Sequence, residues 1–175
     1  LLHKLGYNVI GITLQLWDYT PASQAVEGEA KKFGTCCALD DVYDARRVCQ
    51  TIGVPHYVLN YESEFKSAVV DDFVETYLAG ATPIPCVRCN QRIKFDSFMD
   101  KAKGLGADVL VTGHYIRKDY DQNGKAILRR GLDPKKDQSY FLFTTTQEQL
   151  EFSDFPLGQL TKEETRDLAK ELGLH

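Results

Sequence analysis

The chain has 175 residues, 43% of them hydrophobic, enough to bury one core, so a single α/β domain is the natural expectation. No apolar run approaches the ~20 residues that cross a bilayer, no basic-apolar leader opens the chain, and five cysteines are too few and odd for a disulfide scaffold, which together predict a cytoplasmic protein without membrane contact. The net charge of −4 hides two basic segments: Arg88, Arg92 and Lys94 stand without an acid in residues 87–95, and Lys125, Arg129, Arg130, Lys135 and Lys136 stand against Asp133 alone in 125–136.

In chain order, Leu1–Gly6 reads as the tail of an amphipathic helix closed by a glycine cap, and the chain is therefore expected to be a fragment. Asn8–Trp17 is β-branched and apolar, as in a buried strand of a parallel sheet, and a long polar loop follows over 18–35. Asp40–Ile52 carries Val42, Ala45, Val48, Cys49 and Ile52 at helical spacing and stops at Gly53-Val54-Pro55. A short strand is expected at His56–Asn60. A helix over Glu64–Leu78 places Phe65, Val69, Phe73, Val74 and Tyr77 on one face.

The segment Thr82–Phe95 (TPIPCVRCNQRIKF) is the most distinctive. Prolines in alternate positions predict an extended arm, and Asn90 is suited to cap a helix running from Gln91 to Gly104. Cys89 then falls at the helix N-terminus, where the macrodipole and the neighbouring Arg88 and Arg92 favour the thiolate, whereas Cys86 lies in the arm. Ala107–Thr112 is a third strand running into Gly113-His114. Asn123-Gly124 between Ile116–Tyr120 and Lys125–Arg130 marks a hairpin. Thr161 with Glu164 three residues on is a capping box for a helix reaching Gly173.

Strands alternating with helices predict a doubly wound, mostly parallel α/β sheet with right-handed crossovers and a β-hairpin insertion. Ligands of such sheets bind beyond the carboxyl ends of the strands, where Trp17-Asp18 and Gly113-His114 fall. Gly113 lets backbone approach a ligand or simply makes a turn, and His114 is a proton carrier, a polar contact or a structural residue. Lys135–Phe141 (KKDQSYF) sets charged, amide and hydroxyl groups before aromatic residues, suiting phosphate and base-edge contacts followed by an anchor in the core. Cys36 and Cys37 could join Cys86 and Cys89 around a metal, but adjacent cysteines in extended backbone point to opposite faces, so no metal site is expected. Cys49 belongs to the core.

The stretches GITLQLWD, CCALDDVYDAR, PIPCVRCNQRIKF, VTGHY, RRGLDPKKDQSYFL and PLGQLTKEETRDLAKELGL resemble the tRNA 2-thiouridylase family of PP-loop ATP pyrophosphatases over nearly the whole chain. The resemblance implies a Rossmann-like fold of the adenine nucleotide alpha hydrolase kind. Residues 1–175 would form a single partial N-terminal ATP-binding and catalytic domain, with the chain from about 145 leading towards a central domain. It further implies ATP and Mg2+ as cofactors, and as partners a tRNA presenting its wobble uridine in the anticodon loop and a sulfur-relay protein donating a persulfide. In that chemistry ATP adenylates the C2 oxygen of the uridine and a persulfide sulfur replaces it. By motif position Cys89 matches the catalytic cysteine and Ile84, Pro85 and Cys86 the contact to the target base. Leu14 and Gly113 match nucleotide-binding positions, and His114, Lys136, Asp137 and Gln138 match tRNA contacts.

Ile84 departs from the commoner Asn, which removes a side-chain hydrogen bond to the base. The pyrophosphate loop is expected before Leu1 and the persulfide cysteine after His175, so residues 1–175 alone are expected to bind ATP weakly or not at all and to leave sheet edges open. The alternatives are another PP-loop ligase or thiolase, and a non-catalytic metal- or tRNA-binding module.

Overall fold

The computed structural model describes residues 1–17 and 39–174. The chain forms two compact units, Leu1–Ser67 and Ala68–His175.

In the first unit a 3-10 turn, His3–Leu5, is closed by Gly6, whose N–H donates to the His3 carbonyl. Strand β1 (Gly11–Gln15) pairs in parallel with β2 (His56–Asn60), in register from Gly11 opposite His56 to Gln15 opposite Asn60. Helix α1 (Leu39–Ile52) makes the crossover between them. The sequence placed β2 at these same bounds, and α1 within one residue. The expectation of a buried strand over 8–17 needs correcting: all five β1 residues are only half-buried, because among the described residues the strand has a ladder partner on one side alone. Leu16, Val42, Cys49 and Tyr61 form the small core. Burial pushes the Cys49 thiol up, the expected state of a core cysteine.

The helix expected over 64–78 runs as α2 (Glu62–Phe65), a π-helical stretch Lys66–Val70, and α3 (Asp71–Leu78). Its expected buried face is a second correction. Val69 is buried, but Phe73, Val74 and Tyr77 are exposed, with Phe73 and Tyr77 stacked on each other at 6.3 Å. The π-helical stretch explains the failure: its wider turn shifts the side chains that follow out of the 3.6-residue stripe assumed from the sequence.

In the second unit a long helical run comprises α4 (Pro85–Arg88), a π-helical stretch Cys89–Ser97, and α5 (Phe98–Gly104). It supplies Ile93, Phe95, Phe98, Met99 and Ala102 to a core completed by Ile116, Leu142, Leu150 and Phe155. Strand β3 (Leu110–Val111) is shorter than the 107–112 expected. It pairs in parallel with β6 (Ser153–Asp154), a two-residue strand with no sequence signal. The hairpin forms as β4 (Ile116–Tyr120) and β5 (Ala126–Arg130). After α6 (Gln147–Phe152) and a 3-10 turn, Pro156–Gln159, comes α7 (Lys162–Glu171), with Thr161 and Glu164 in the expected capping box.

Two glycines shape the wall on which the site is built. A Cβ on Gly158 would lie 1.6 Å from the Ile116 carbonyl oxygen, and one on Gly131 would lie 2.4 Å from that of Tyr115. Only glycine allows these backbones to pass so closely.

Candidate functional site

Within the second unit, Gly113, Tyr115, Lys135, Lys136, Asp137, Gln138 and Lys162 line a cavity of about 410 Å3. Four of the residues singled out from the sequence (Gly113, Lys136, Asp137 and Gln138) therefore meet, although two stretches of chain supply them. Gly113 is exposed, and a Cβ there would touch only the Leu157 side chain at 3.6 Å, so internal packing does not demand glycine. Its open face is free for a ligand.

The four residues are not equivalent. Asp137 Oδ1 accepts from the Gly131 N–H at 2.9 Å and the Ser139 N–H at 3.2 Å, while Oδ2 accepts from the Ser139 hydroxyl at 2.8 Å. Burial acts to raise the Asp137 pKa, but these hydrogen bonds and the charge of Arg130 outweigh it and hold the carboxyl below the ordinary aspartate value. Gln138 Oε1 accepts from the Tyr115 N–H at 2.9 Å, and the Gln138 N–H donates to the Tyr115 carbonyl at 3.2 Å. Asp137 and Gln138 thus spend hydrogen-bonding capacity on building the loop. Lys135 and Lys136 are exposed and form no ion pair among the described residues.

Sequence reasoning missed Lys162. Its ammonium sits 5.6 Å from the centre of the Tyr115 ring, and its N–H donates to Asp133 Oδ2 at 3.2 Å. Asp133 Oδ1 also accepts from the Lys135 N–H at 2.9 Å, so one carboxylate ties the lysine loop to the start of α7. The signal was available, since Lys162 follows the Thr161 cap directly. What sequence alone does not reveal is that this helix start returns to Tyr115. Three lysines around one internally satisfied carboxylate make the cavity a site for anions.

His114 lies behind this wall. Its Nδ1 is 2.8 Å from Thr112 Oγ1, and its ring is tilted against Phe95 at 6.0 Å. Burial, and then the positive charge of Lys94, push the imidazole down to about 4. Near neutral pH it is an uncharged hydrogen-bonding group.

The cysteine segment requires the main correction. Pro83 and Pro85 do bias their predecessors away from helix, and Ile84 has φ −124° and ψ 78°. The extended arm ends there, however. Pro85 is the first helical residue, where its fixed φ fits and its missing N–H is not needed. Cys86 therefore lies in the first turn and is exposed. Cys89 is half-buried one turn on, with its N–H donating within the helix to the Cys86 and Pro85 carbonyls. Asn90 is not a cap. Its side chain is buried, and Nδ2 donates to the Phe141 carbonyl at 3.1 Å.

The basic segments are thinner than their composition suggests. Arg88 grips Asp72 through Nε at 3.1 Å and a terminal nitrogen at 2.9 Å. Arg92 faces Asp96 at 3.8 Å, and Arg129 pairs with Asp119 at 2.8 Å. Beside the Asp72–Arg88 pair, a smaller cavity of about 250 Å3 is lined by Pro83, Ile84, Val87, Gln91, Phe143 and neighbouring threonines.

Leu14 belongs to the first unit, in β1 opposite Leu59. Asp18, Cys36 and Cys37 lie outside the described residues. Among the described residues no three His, Cys, Asp or Glu side chains converge as metal ligands, and no helix is long and apolar enough to cross a membrane.

Comparison with known proteins bears on the whole chain. The tRNA-specific 2-thiouridylase MnmA of Geotalea uraniireducens is 58% identical over 174 residues, 99% of this chain and 46% of that protein. The MnmA of Magnetococcus marinus is 57% identical over 175 residues, 100% of this chain and 47% of its own length. That of Rickettsia bellii is 59% identical over 174 residues, covering 99% and 45%. The chain thus spans about half the length of the curated relatives it matches. The family model described as the tRNA methyl transferase HUP domain, which implies a Rossmann-like α/β fold, matches residues 1–175, and the chain belongs to that family.

Proposed function

We propose that the chain is the nucleotide-binding and thiol-bearing part of an ATP-dependent tRNA sulfurtransferase that converts the wobble uridine to 2-thiouridine. The observation that carries this reading is the lysine cavity joined by one loop to the cysteine-bearing helix: Lys135–Gln138 line the cavity, and the Phe141 carbonyl a few residues on holds Asn90 beside Cys89. Kinship with the 2-thiouridylases supports it. On this reading the fold is a doubly wound sheet with the β4–β5 hairpin inserted, acting on tRNA with a sulfur-relay protein as donor and ATP and Mg2+ as cofactors.

ATP, when bound, supplies the adenylyl group that turns the uridine C2 oxygen into a leaving group. The exposed Gly113 backbone suits close approach of the nucleotide, and Leu14 is assigned to nucleotide contact by motif position alone. The described residues offer no cluster of three His, Cys, Asp or Glu side chains that would hold Mg2+ without the nucleotide. Lys136 and Lys162 hold phosphates of the tRNA, Asp137 and Gln138 keep their loop in place, and neutral His114 orients the wall through Thr112. Ile84, which lines the smaller cavity, and the Pro85 and Cys86 that follow it in the chain meet the target base. Cys89, half-buried one turn on, is the catalytic thiol. The outer sulfur of the persulfide attacks C2 and AMP departs, leaving C2 joined to the carrier cysteine through an S–S bond. The Cys89 thiolate then attacks the carrier sulfur, so that the S–S bond breaks and the outer sulfur stays on C2. Cys89 forms a disulfide with the carrier cysteine that an external thiol reductant reopens.

The test is reconstitution of the full-length protein with a tRNA carrying a wobble uridine, ATP and a persulfide donor, followed by nucleoside mass spectrometry. The expected product shows the oxygen-to-sulfur mass shift at uridine only when ATP is present. Sulfur incorporation without ATP, or none with every component present, contradicts the proposal.

A further inference from the structure

The aromatic residues that close the stretch Lys135–Phe141 were expected to anchor it in the core, but Phe141 is only half-buried and Tyr140 is exposed. In the 3-10 turn Ser139–Leu142 the anchor is Leu142, 1% exposed, and the turn is tied down by Asn90 at the Phe141 carbonyl. Tyr140 and Phe143 are 62% and 63% exposed. Their ring centres are 6.1 Å apart at 51°, and Tyr140 also meets Phe141 edge-on at 5.6 Å. The fold thus gains little from either ring, and leaving two adjacent aromatics in water forfeits burial that each would otherwise provide.

Their surroundings narrow what covers them. Phe143 and Thr144 line the smaller cavity together with Ile84, Val87, Gln91 and the Asp72–Arg88 pair. Its 250 Å3 is small for a drug-sized ligand and suits a single planar base. The loop that ends at Phe143 begins in the lysine cavity. One continuous stretch, Lys135–Thr144, therefore presents cations at one end and bare aromatic faces at the other. A polyanion whose backbone carries unstacked rings matches that order, whereas an apolar protein segment matches only the second half.

We infer that Tyr140 and Phe143 form a stacking platform for unpaired nucleobases of the RNA, with Phe143 forming one wall of the pocket that receives the base beside Ile84. Single-stranded loops are recognised in this way: phosphates on cations, splayed bases on aromatic faces. The inference rests on the proposed function, and it assigns base stacking to residues outside the lysine and cysteine motifs.

Stacking is not ionic, and this separates it from the role of the lysines. In the full-length protein, Tyr140→Ala and Phe143→Ala should each weaken tRNA binding by about five- to a hundredfold while leaving the slope of log K against log salt unchanged. Phe143→Tyr should retain affinity. Phe143→Leu keeps the apolar bulk and removes the aromatic face, so it should lose affinity at an unchanged melting temperature. A 2-aminopurine placed next to the wobble position should be quenched on binding to the wild type and less so on binding to the Phe143→Leu protein. Wild-type affinity and quenching in the leucine variant overturn the inference. So does a set of variants that melt at lower temperature yet bind tRNA as the wild type does, the outcome expected if the rings pack against another protein segment. If the wild type itself binds no tRNA, it is the proposed function that fails; the stacking inference alone fails when the wild type binds and the variants match it.

Discussion

The lysine loop and the cysteine helix are both dense in reactive side chains, yet the fold treats them differently. In the loop, the residues with most hydrogen-bonding capacity are consumed by the structure. Asp137 takes three donors and Gln138 clasps the Tyr115 backbone, so the lysines beside them are what remains for a ligand. In the helix, the two arginines are paired instead, Arg88 with Asp72 and Arg92 with Asp96, and the thiols of Cys86 and Cys89 lie in the same helical run. Adjacent positions in one motif therefore do different work: one builds the site and its neighbour uses it.

The sharpest break in this comparison lies at the thiols. In the full-length protein, Cys89→Ser is expected to abolish thiolation while leaving tRNA binding intact, whereas Cys86→Ser should weaken the reaction without ending it. Cys49→Ser should leave turnover unchanged, since that thiol is buried in the first unit. Turnover of radiolabelled sulfur into tRNA measures all three. Full activity in Cys89→Ser removes the nucleophile assignment.

Next in size is the loop's internal carboxylate. Asp137→Ala leaves the Gly131 and Ser139 donors without their acceptor and should cost about 1–3 kcal/mol, read as a lower denaturation midpoint. Asp137→Asn, which keeps one acceptor oxygen, should fall between. An unaffected midpoint in the alanine variant would make Asp137 a ligand contact rather than a scaffold.

The pH dependence is smaller. His114 has its pKa pushed from an ordinary 6.5 to about 4, so between these values the unfolded chain binds more protons than the folded one. Stability is therefore full above pH 6.5 and declines as pH falls towards 4. Below that, protonation of Asp137, whose pKa is lowered in the fold, removes a further contribution. His114→Asn, which can still bond Thr112, should flatten the upper part of the decline, as followed by chemical denaturation across that range.

Much of this was legible in the sequence where a local signal dictates local structure. The strands β1 and β2, the Asn-Gly hairpin and the Thr161–Glu164 capping box all announce themselves within a few residues. Three features were not. A proline can end a helix or begin one, and only the helical backbone after Pro85 shows which, so Cys86 and not Cys89 lies in the first turn. The π-helical stretch Lys66–Val70 breaks the 3.6-residue period and turns Phe73 and Tyr77 outward. Finally, β6 and Lys162 owe their positions to partners far along the chain, Leu110 and Tyr115, and no local pattern encodes such pairings.

The division of labour within the lysine loop is tested most directly by the salt dependence of tRNA binding to the full-length protein. Each phosphate contact contributes about 0.7–0.9 to the magnitude of the slope of log K against log salt. Replacing both Lys136 and Lys162 with Gln should reduce that magnitude by the value of two contacts, and Gln138→Ala should leave it unchanged. An unaltered slope in the double lysine variant, or a slope reduced by Gln138→Ala, would contradict the assignment of phosphate binding to the lysines and of loop building to their neighbours.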